Sequence, residues 1–277
     1  MRPAEVVRRA AGYLDRHDVE SSLPTAETLL ASVLGISRVA LYGRQERLTP
    51  AEAREFGRAI CRRCTDTPLQ HLTGREGFRH LTLTVRPGVF VPRPETEVVV
   101  EHALAALEGL ARPVVVDVGT GTGAIALAIA EEHPGARVLA TDLSPDAVRL
   151  AQENASRLGL DVTVVAGDLL GSMDAQLRGL VDLVVSNPPY VSLAELPSLP
   201  PEVRADPELA LLGGPHVYRR LFAEAVDWVR PGGAVVVEIG ETQAAAVAAA
   251  ATAAGLDAVR VHPDLVGRDR VVVARRP

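Results

Sequence analysis

The 277-residue chain contains no lysine: all 29 basic side chains are arginines, set against 35 acids, for a net charge of −6. That bias reflects genomic base composition rather than chemistry. Cysteine is nearly as scarce. Only Cys61 and Cys64 occur, which excludes a disulfide framework. The single C-x-x-C has no second pair and no thioredoxin-like strand before it, so neither a zinc nor a redox centre is expected. The seven histidines show no ligand spacing, and no metal is expected. Long apolar runs are also missing: none approaches the roughly 18 residues of a membrane span. The opening MRPAEVVRRAAGYLDRH lacks a signal-peptide core, so a cytoplasmic location is expected. With 47% hydrophobic and 23% charged residues, the chain is globular rather than disordered.

Charge divides unevenly. Residues 1–90 carry a net +4 and residues 91–277 a net −10. An acidic larger part argues against a broad duplex-binding surface, which needs clustered cations to neutralise phosphates. The first part reads as helical. Val6, Val7, Ala10 and Leu14 form a helical stripe; Leu29, Leu30, Val33 and Leu34 form a second, stopped by Gly35; Thr49-Pro50 opens a third helix that ends before Pro68. No catalytic cluster lies there, so residues 1–68 are expected to be a helical recognition or packing module. Residues 69–92, containing the alternating LTLTV at 81–85, read as a β-hairpin linker. Prolines 92 and 94 then stiffen the chain before a helix over 95–110.

From residue 113 the pattern alternates strand and helix. Apolar strands are expected at 114–118, 136–142, 162–168, 181–187 and 233–240, and buried parallel strands read this way. Two further runs, 258–263 and 270–275, lie too close together for a crossover helix and should pair antiparallel at one edge. Residues 93–277 thus resemble the Rossmann-like, seven-stranded α/β fold of class I S-adenosylmethionine-dependent methyltransferases, whereas nicotinamide folds are expected to end in a parallel strand.

Strand 114–118 runs into Gly119-Thr120-Gly121-Thr122-Gly123-Ala124 and a helix. Glycines at such a turn let backbone N–H groups approach a ligand, but this string also satisfies the dinucleotide fingerprint. Three carboxylates discriminate. Asp117 would repel a pyrophosphate but attract an amino acid's ammonium. Asp142, closing the second strand, can accept both ribose hydroxyls, a position shared with dinucleotide folds. Asp168, expected to close the third strand, can take an adenine amino group while Leu169 covers the ring.

Strand 181–187 ends in Asn187-Pro188-Pro189-Tyr190. At the carboxyl end of a strand beside the glycine loop, this lies where α/β sheets bind ligands. A planar amide or aryl amine is a poor nucleophile, because its lone pair is delocalised. Asn187 Oδ1 and the Pro188 carbonyl can each accept one of its N–H groups, Tyr190 can stack on its plane, and the prolines stiffen the frame. These four residues specify an sp² –NH₂ acceptor and leave glutamine, adenine, cytosine and guanine open.

FVPRPETE, DVGTGTGAIALAIA, TDLSPDAVRLAQENA, VVSNPPYV, DPELALLGG, VVVEIGETQ and DLVGRDRVVVA, in that order, resemble the release-factor glutamine methyltransferase (HemK/PrmC) family over residues 68–275. The resemblance implies methyl transfer from S-adenosyl-L-methionine, with S-adenosyl-L-homocysteine as product, to the Gly-Gly-Gln glutamine of peptide-chain release factors. It also implies a substrate-recognition role for the helical N-terminus. An adenine-N6 or guanine-N2 nucleic-acid methyltransferase using the same NPPY site is the alternative. The family usually follows the GG pair with Asp-Gly, whereas this chain reads Gly213-Gly214-Pro215-His216. Arg93 and Glu95 are expected either to contact the cofactor or to fix the domain joint. Glu238 and Gln243 read as ordinary strand-end residues.

Overall fold

Local capping starts the helices where the sequence supplies the right oxygen. Before the helix Pro50–Arg63, Thr49 Oγ1 accepts from the Glu52 amide while the Glu52 carboxylate accepts from the Thr49 amide, at 3.2 and 2.6 Å. The computed structural model describes residues 1–277 as two compact units, residues 1–75 with 200–205, and residues 76–199 with 206–277. The division falls at Arg75/Glu76, inside the segment read as a linker, and no linear partition of the chain expresses the 200–205 assignment.

The first unit contains α1 (Pro3–Asp15), α2 (Ser22–Leu34), α3 (Arg38–Gly43), α4 (Pro50–Arg63) and α5 (Leu69–Thr73). Val7, Leu14, Leu29, Leu30, Leu41, Phe56 and Ile60 form its core. The short α3 has no apolar period to announce it. It is started by Ser37, and its Arg38 and Tyr42 both engage the Glu27 carboxylate of α2. In the same unit, Arg63 of α4 pairs with Glu202 in the 200–205 segment.

The second unit holds the hairpin β1–β2 (Arg75–Phe78, Leu81–Thr84), α6 (Glu97–Ala106), β3 (Val114–Val118), α7 (Ala124–Glu132), β4 (Arg137–Asp142), α8 (Pro145–Leu158), β5 (Val162–Ala166) and β6 (Val181–Ser186). After the short helices α9 (Pro201–Arg204) and α10 (Glu208–Leu211), of which α9 belongs to the first unit, come α11 (Pro215–Trp228), β7 (Val229–Glu238), α12 (Ala244–Ala253), β8 (Asp257–Pro263) and β9 (Asp269–Arg275). The seven-stranded sheet has the order β5-β4-β3-β6-β7-β9-β8. Its first five strands are parallel, and β9 runs antiparallel between β7 and β8. The edge hairpin expected from the spacing of the last two strands is therefore present. β7 starts earlier than its apolar run, because Val229 already pairs with Val181 before the Pro231-Gly232 irregularity lets pairing resume at Ala234.

Every strand side chain chooses a face by the period of two. Val115, Leu183, Val185 and Val236 pack under α6, α7 and α8, while Val116, Val184, Val235 and Val237 pack under α11 and α12. Burial on both faces explains why the strands read as continuous apolar runs. No helix is long and apolar enough to cross a membrane.

Asn154 of α8, fully buried, ties three parts of this unit together. Its Oδ1 accepts from the Thr84 amide at 2.8 Å, and its Nδ2 donates to the carbonyls of Thr84 and Thr122, each at 3.0 Å. Asn154→Ala leaves three backbone groups without this partner and should destabilise the protein by about 2–4 kcal/mol. A lowered urea midpoint at unchanged slope is the expected result.

Candidate cofactor and substrate site

Parallel register brings the candidate residues to one end of the sheet. Val118 of β3 lies beside both Thr141 of β4 and Ser186 of β6, and Asp142 lies beside Ala166 of β5. The chain leaves β3 towards β4 and β5 on one side, then returns to β6 and β7 on the other, so strand order reverses between β3 and β6. Open α/β sheets bind ligands at such a switch point, outside the carboxyl ends of the strands. The glycine loop follows β3 and NPPY follows β6.

The loop is held from below. Gly119 and Thr120 donate their amides to the Thr141 carbonyl at 2.8 and 3.0 Å. Gly123 begins α7 at φ +86°, a backbone conformation that strains any L side chain, and a Cβ there would also press on Leu127 Cδ1 at 2.9 Å and Ala151 Cβ at 3.3 Å, so glycine is favoured. Asp117 is fully buried. Its Oδ2 accepts from the Thr120 hydroxyl at 2.6 Å and the Ala126 amide at 3.2 Å, whereas its Oδ1 and the buried Thr122 Oγ1 have no partner. Burial pushes the Asp117 carboxyl up to about 7, against the lowering effect of those two donors. A partnerless buried carboxylate oxygen under a glycine loop suits a ligand carrying a cationic amine, so the residues present fit S-adenosylmethionine. Asp142 is half-buried. It accepts from the Gly121 and Ser144 amides, both at 2.8 Å, with lone pairs left over for hydroxyls. Desolvation raises its pKa.

Asp168 departs from expectation. β5 ends at Ala166, so Asp168 stands in the following turn, exposed, and its Oδ2 accepts from Arg220 Nη2 at 2.7 Å. The carboxylate is shared with a surface arginine, a pair worth at most about 1 kcal/mol, so an adenine amino group would compete with Arg220 for it. Leu169 follows at φ +50°, packed against the α11–α12 side of the sheet.

At the other side of the switch point, Ser186 Oγ donates to the Val118 carbonyl at 2.7 Å, locking the base of NPPY to β3. Asn187 Nδ2 donates to Thr96 Oγ1 at 3.2 Å, which leaves Oδ1 as the free acceptor. Pro188 is buried, and Pro189 and Tyr190 are half-buried. The Tyr190 hydroxyl donates to Glu238 Oε1 at 3.2 Å, and Gln243 Nε2 donates to the Tyr190 carbonyl at 2.9 Å. Gly213 lies directly against NPPY, since a Cβ on it would fall 1.8 Å from the Pro189 oxygen. Its amide donates to the Val191 carbonyl at 3.0 Å. The Pro215-His216 departure therefore comes after the glycine that contacts the frame.

Glu238 and Gln243, read from sequence as ordinary strand-end residues, are thus tied into the NPPY frame. Neither has a local signal for this, because their partners lie 48 and 53 residues away. Arg93 has a buried partner within the second unit. Asp206, almost fully buried, accepts from the Val91 amide at 3.2 Å and pairs with Arg93, which lies over the Phe90 ring. Arg93 therefore fastens FVPRPETE to the DPELALLGG segment. Glu95 faces Arg268 at 3.5 Å.

The chain is similar to known proteins over its whole length. The methyltransferase small domain family matches residues 80–197, and the PrmC N-terminal domain family matches residues 5–74. The chain is 47% identical to a release factor glutamine methyltransferase of Moorella thermoacetica, covering 98% of this chain and 96% of that protein. It is 45% identical to one of Deinococcus radiodurans, covering 100% and 99%. Among solved structures, a T. thermophilus 16S rRNA methyltransferase in complex with AdoMet and guanosine matches with TM-score 0.55 at 20% identity, covering 73% of this chain and 50% of that one. A methyltransferase of Pyrococcus furiosus matches with TM-score 0.51 at 20% identity, covering 70% and 88%. These two likenesses establish the fold.

Two measurements probe the cofactor side. Only ionised Asp117 attracts a cation, so a proton on it competes with the ligand's amine. Affinity for S-adenosylhomocysteine, followed by calorimetry, should therefore weaken up to about tenfold as pH falls from about 8 to about 6. In Asp117→Asn that dependence should flatten; an unchanged dependence would assign it to another group. Asp142→Ala should weaken binding by about 2–3 kcal/mol, the scale of lost charged hydrogen bonds.

Proposed function

The chain belongs to the release factor glutamine methyltransferase family, and from that premise we propose that it methylates the side-chain amide nitrogen, N5, of the glutamine in the Gly-Gly-Gln motif of peptide-chain release factors. Its cofactor is S-adenosyl-L-methionine, which supplies a methyl group already activated on a sulfonium centre. The observation that carries the proposal is the placing of two different binding devices across one switch point, the glycine loop after β3 and the NPPY frame after β6.

Each residue then has a defined task. Asp117, the loop from Gly119 to Gly123, and Asp142 hold the cofactor's amino-acid and ribose parts, and Asp168 and Leu169 meet its adenine. Asn187 Oδ1 and the Pro188 carbonyl accept the two N–H groups of the substrate amide. Both acceptors lie in the amide plane, so the nitrogen's remaining face is directed out of the frame. Tyr190 covers the planar group, and Pro189 stiffens the turn. No strong base is required, because the amide proton leaves once the nitrogen has taken the methyl group. The helical unit recognises the release factor, and the enzyme works in the cytoplasm. The acidity of residues 91–277 and the full-length relatives both count against a nucleic-acid substrate.

Asn187→Ala should slow single-turnover transfer to a release factor by about 10²-fold or more, the scale of lost substrate positioning. Cofactor affinity, measured by calorimetry, should change by well under about tenfold, which is about 1.4 kcal/mol. A normal transfer rate in this variant would sink the acceptor-frame mechanism.

A further inference from the structure

An asparagine side chain is nearly symmetric in shape, and only its partners decide which end faces the substrate. In NPPY this choice is decisive. Oδ1 facing out accepts a substrate N–H, whereas Nδ2 facing out would set one N–H against another. The partner that decides is Thr96, and behind Thr96 stands Glu238.

Thr96 is buried and has one hydroxyl proton to give. It donates that proton to Glu238 Oε2 at 2.6 Å, so it presents only a lone pair to Asn187 and accepts from Nδ2 at 3.2 Å. The second carboxylate oxygen, Oε1, accepts from the Tyr190 hydroxyl at 3.2 Å. One carboxylate thus orients both side chains of the frame, Asn187 through Thr96 and Tyr190 directly. The chain of donors runs one way because an ionised carboxylate can only accept.

We propose that Glu238 and Thr96 are positioning residues for methyl transfer, with ionised Glu238 holding Asn187 in its acceptor orientation and Tyr190 in place. This rests on NPPY being the amide-binding frame. Protonated Glu238 has one proton to donate, to Thr96 or to Tyr190; given to Tyr190 it displaces the tyrosine's own donation, and given to Thr96 it releases the threonine proton towards Asn187. The asparagine would then turn its oxygen inward and its Nδ2 towards the substrate.

The surroundings leave this carboxyl close to the switching point. Burial pushes Glu238 up to about 7, while Thr96, Arg270 and Tyr190 hold it down and Glu95 pushes it further up. Arg270 is itself buried and donates from Nη1 to the Ile239 carbonyl at 3.0 Å. Tyr218 of α11 faces the same site, donating its hydroxyl to the Glu238 backbone carbonyl at 3.0 Å. With the carboxyl raised, the ionised, active form is present above about pH 7 and lost as pH falls through it.

The test uses full-length enzyme and an intact release factor, at cofactor concentrations saturating at every pH, with S-adenosylhomocysteine calorimetry to show that each variant is folded. The wild-type single-turnover rate should fall on acidification below about pH 7. Glu238→Gln should lose at least about tenfold in rate at pH 8, with KM for the release factor changed much less, and should lack the acid limb. Thr96→Val should be slowed to a similar extent, whereas Thr96→Ser, which keeps the hydroxyl, should recover to within about threefold of wild type. A Glu238→Gln enzyme retaining the wild-type rate and acid limb overturns the inference, as does Thr96→Val matching Thr96→Ser. If Asn187→Ala is slow in the same assay while these variants are normal, only this inference fails. If Asn187→Ala is normal as well, the reading of NPPY fails with it.

Discussion

The site depends on one constraint, the parallel register of β3 with its two neighbours. Val118 stands beside Thr141 and Ser186 at once, so the glycine loop, Asp142 and Asn187 all emerge at the same level. A parallel pair shifted by one residue would turn every strand side chain to the other face. The split of β3 between two cores, Val115 under α7 and Val116 under α11 and α12, makes such a slip costly. Hydrophobic packing on both faces of the sheet therefore sets the spacing of polar groups at its end.

Three buried carboxylates then hold what the register has brought together. Asp117 braces the glycine loop, Asp206 fastens FVPRPETE, and Glu238 links Thr96 to Tyr190. Burying a carboxylate costs several kcal/mol unless its oxygens are met by donors. Asp206 meets Arg93 and a backbone amide, and Glu238 meets two hydroxyls with Arg270 nearby. Of these three, Asp117 alone keeps a partnerless oxygen, the one proposed to meet the cofactor's amine.

Much of this was legible in the residues. The strands showed as apolar runs because both faces of the sheet are covered, and the loop showed as glycines because Gly119, Gly121 and Gly123 all take positive φ. The boundary of the helical unit was less legible, because residues 200–205 join it from far along the chain. Asp168 was expected to end a strand, yet β5 stops at Ala166 and Asp168 meets Arg220, 52 residues on. Glu238 and Gln243 looked ordinary because a strand-end Glu or Gln carries no mark of what it will touch.

The sequence by itself determined the α/β alternation, the edge hairpin, the glycine loop and the NPPY turn. Each is written in local periodicity or in residues whose backbone chemistry acts within a few positions. Only the tertiary structure decided which way the Asn187 amide points, what holds Tyr190, and that Arg93 serves Asp206. Those contacts span 91, 48 and 113 residues of chain. A hydrogen bond between distant side chains needs only that the fold bring donor and acceptor within reach, and neither partner's neighbours in sequence register it.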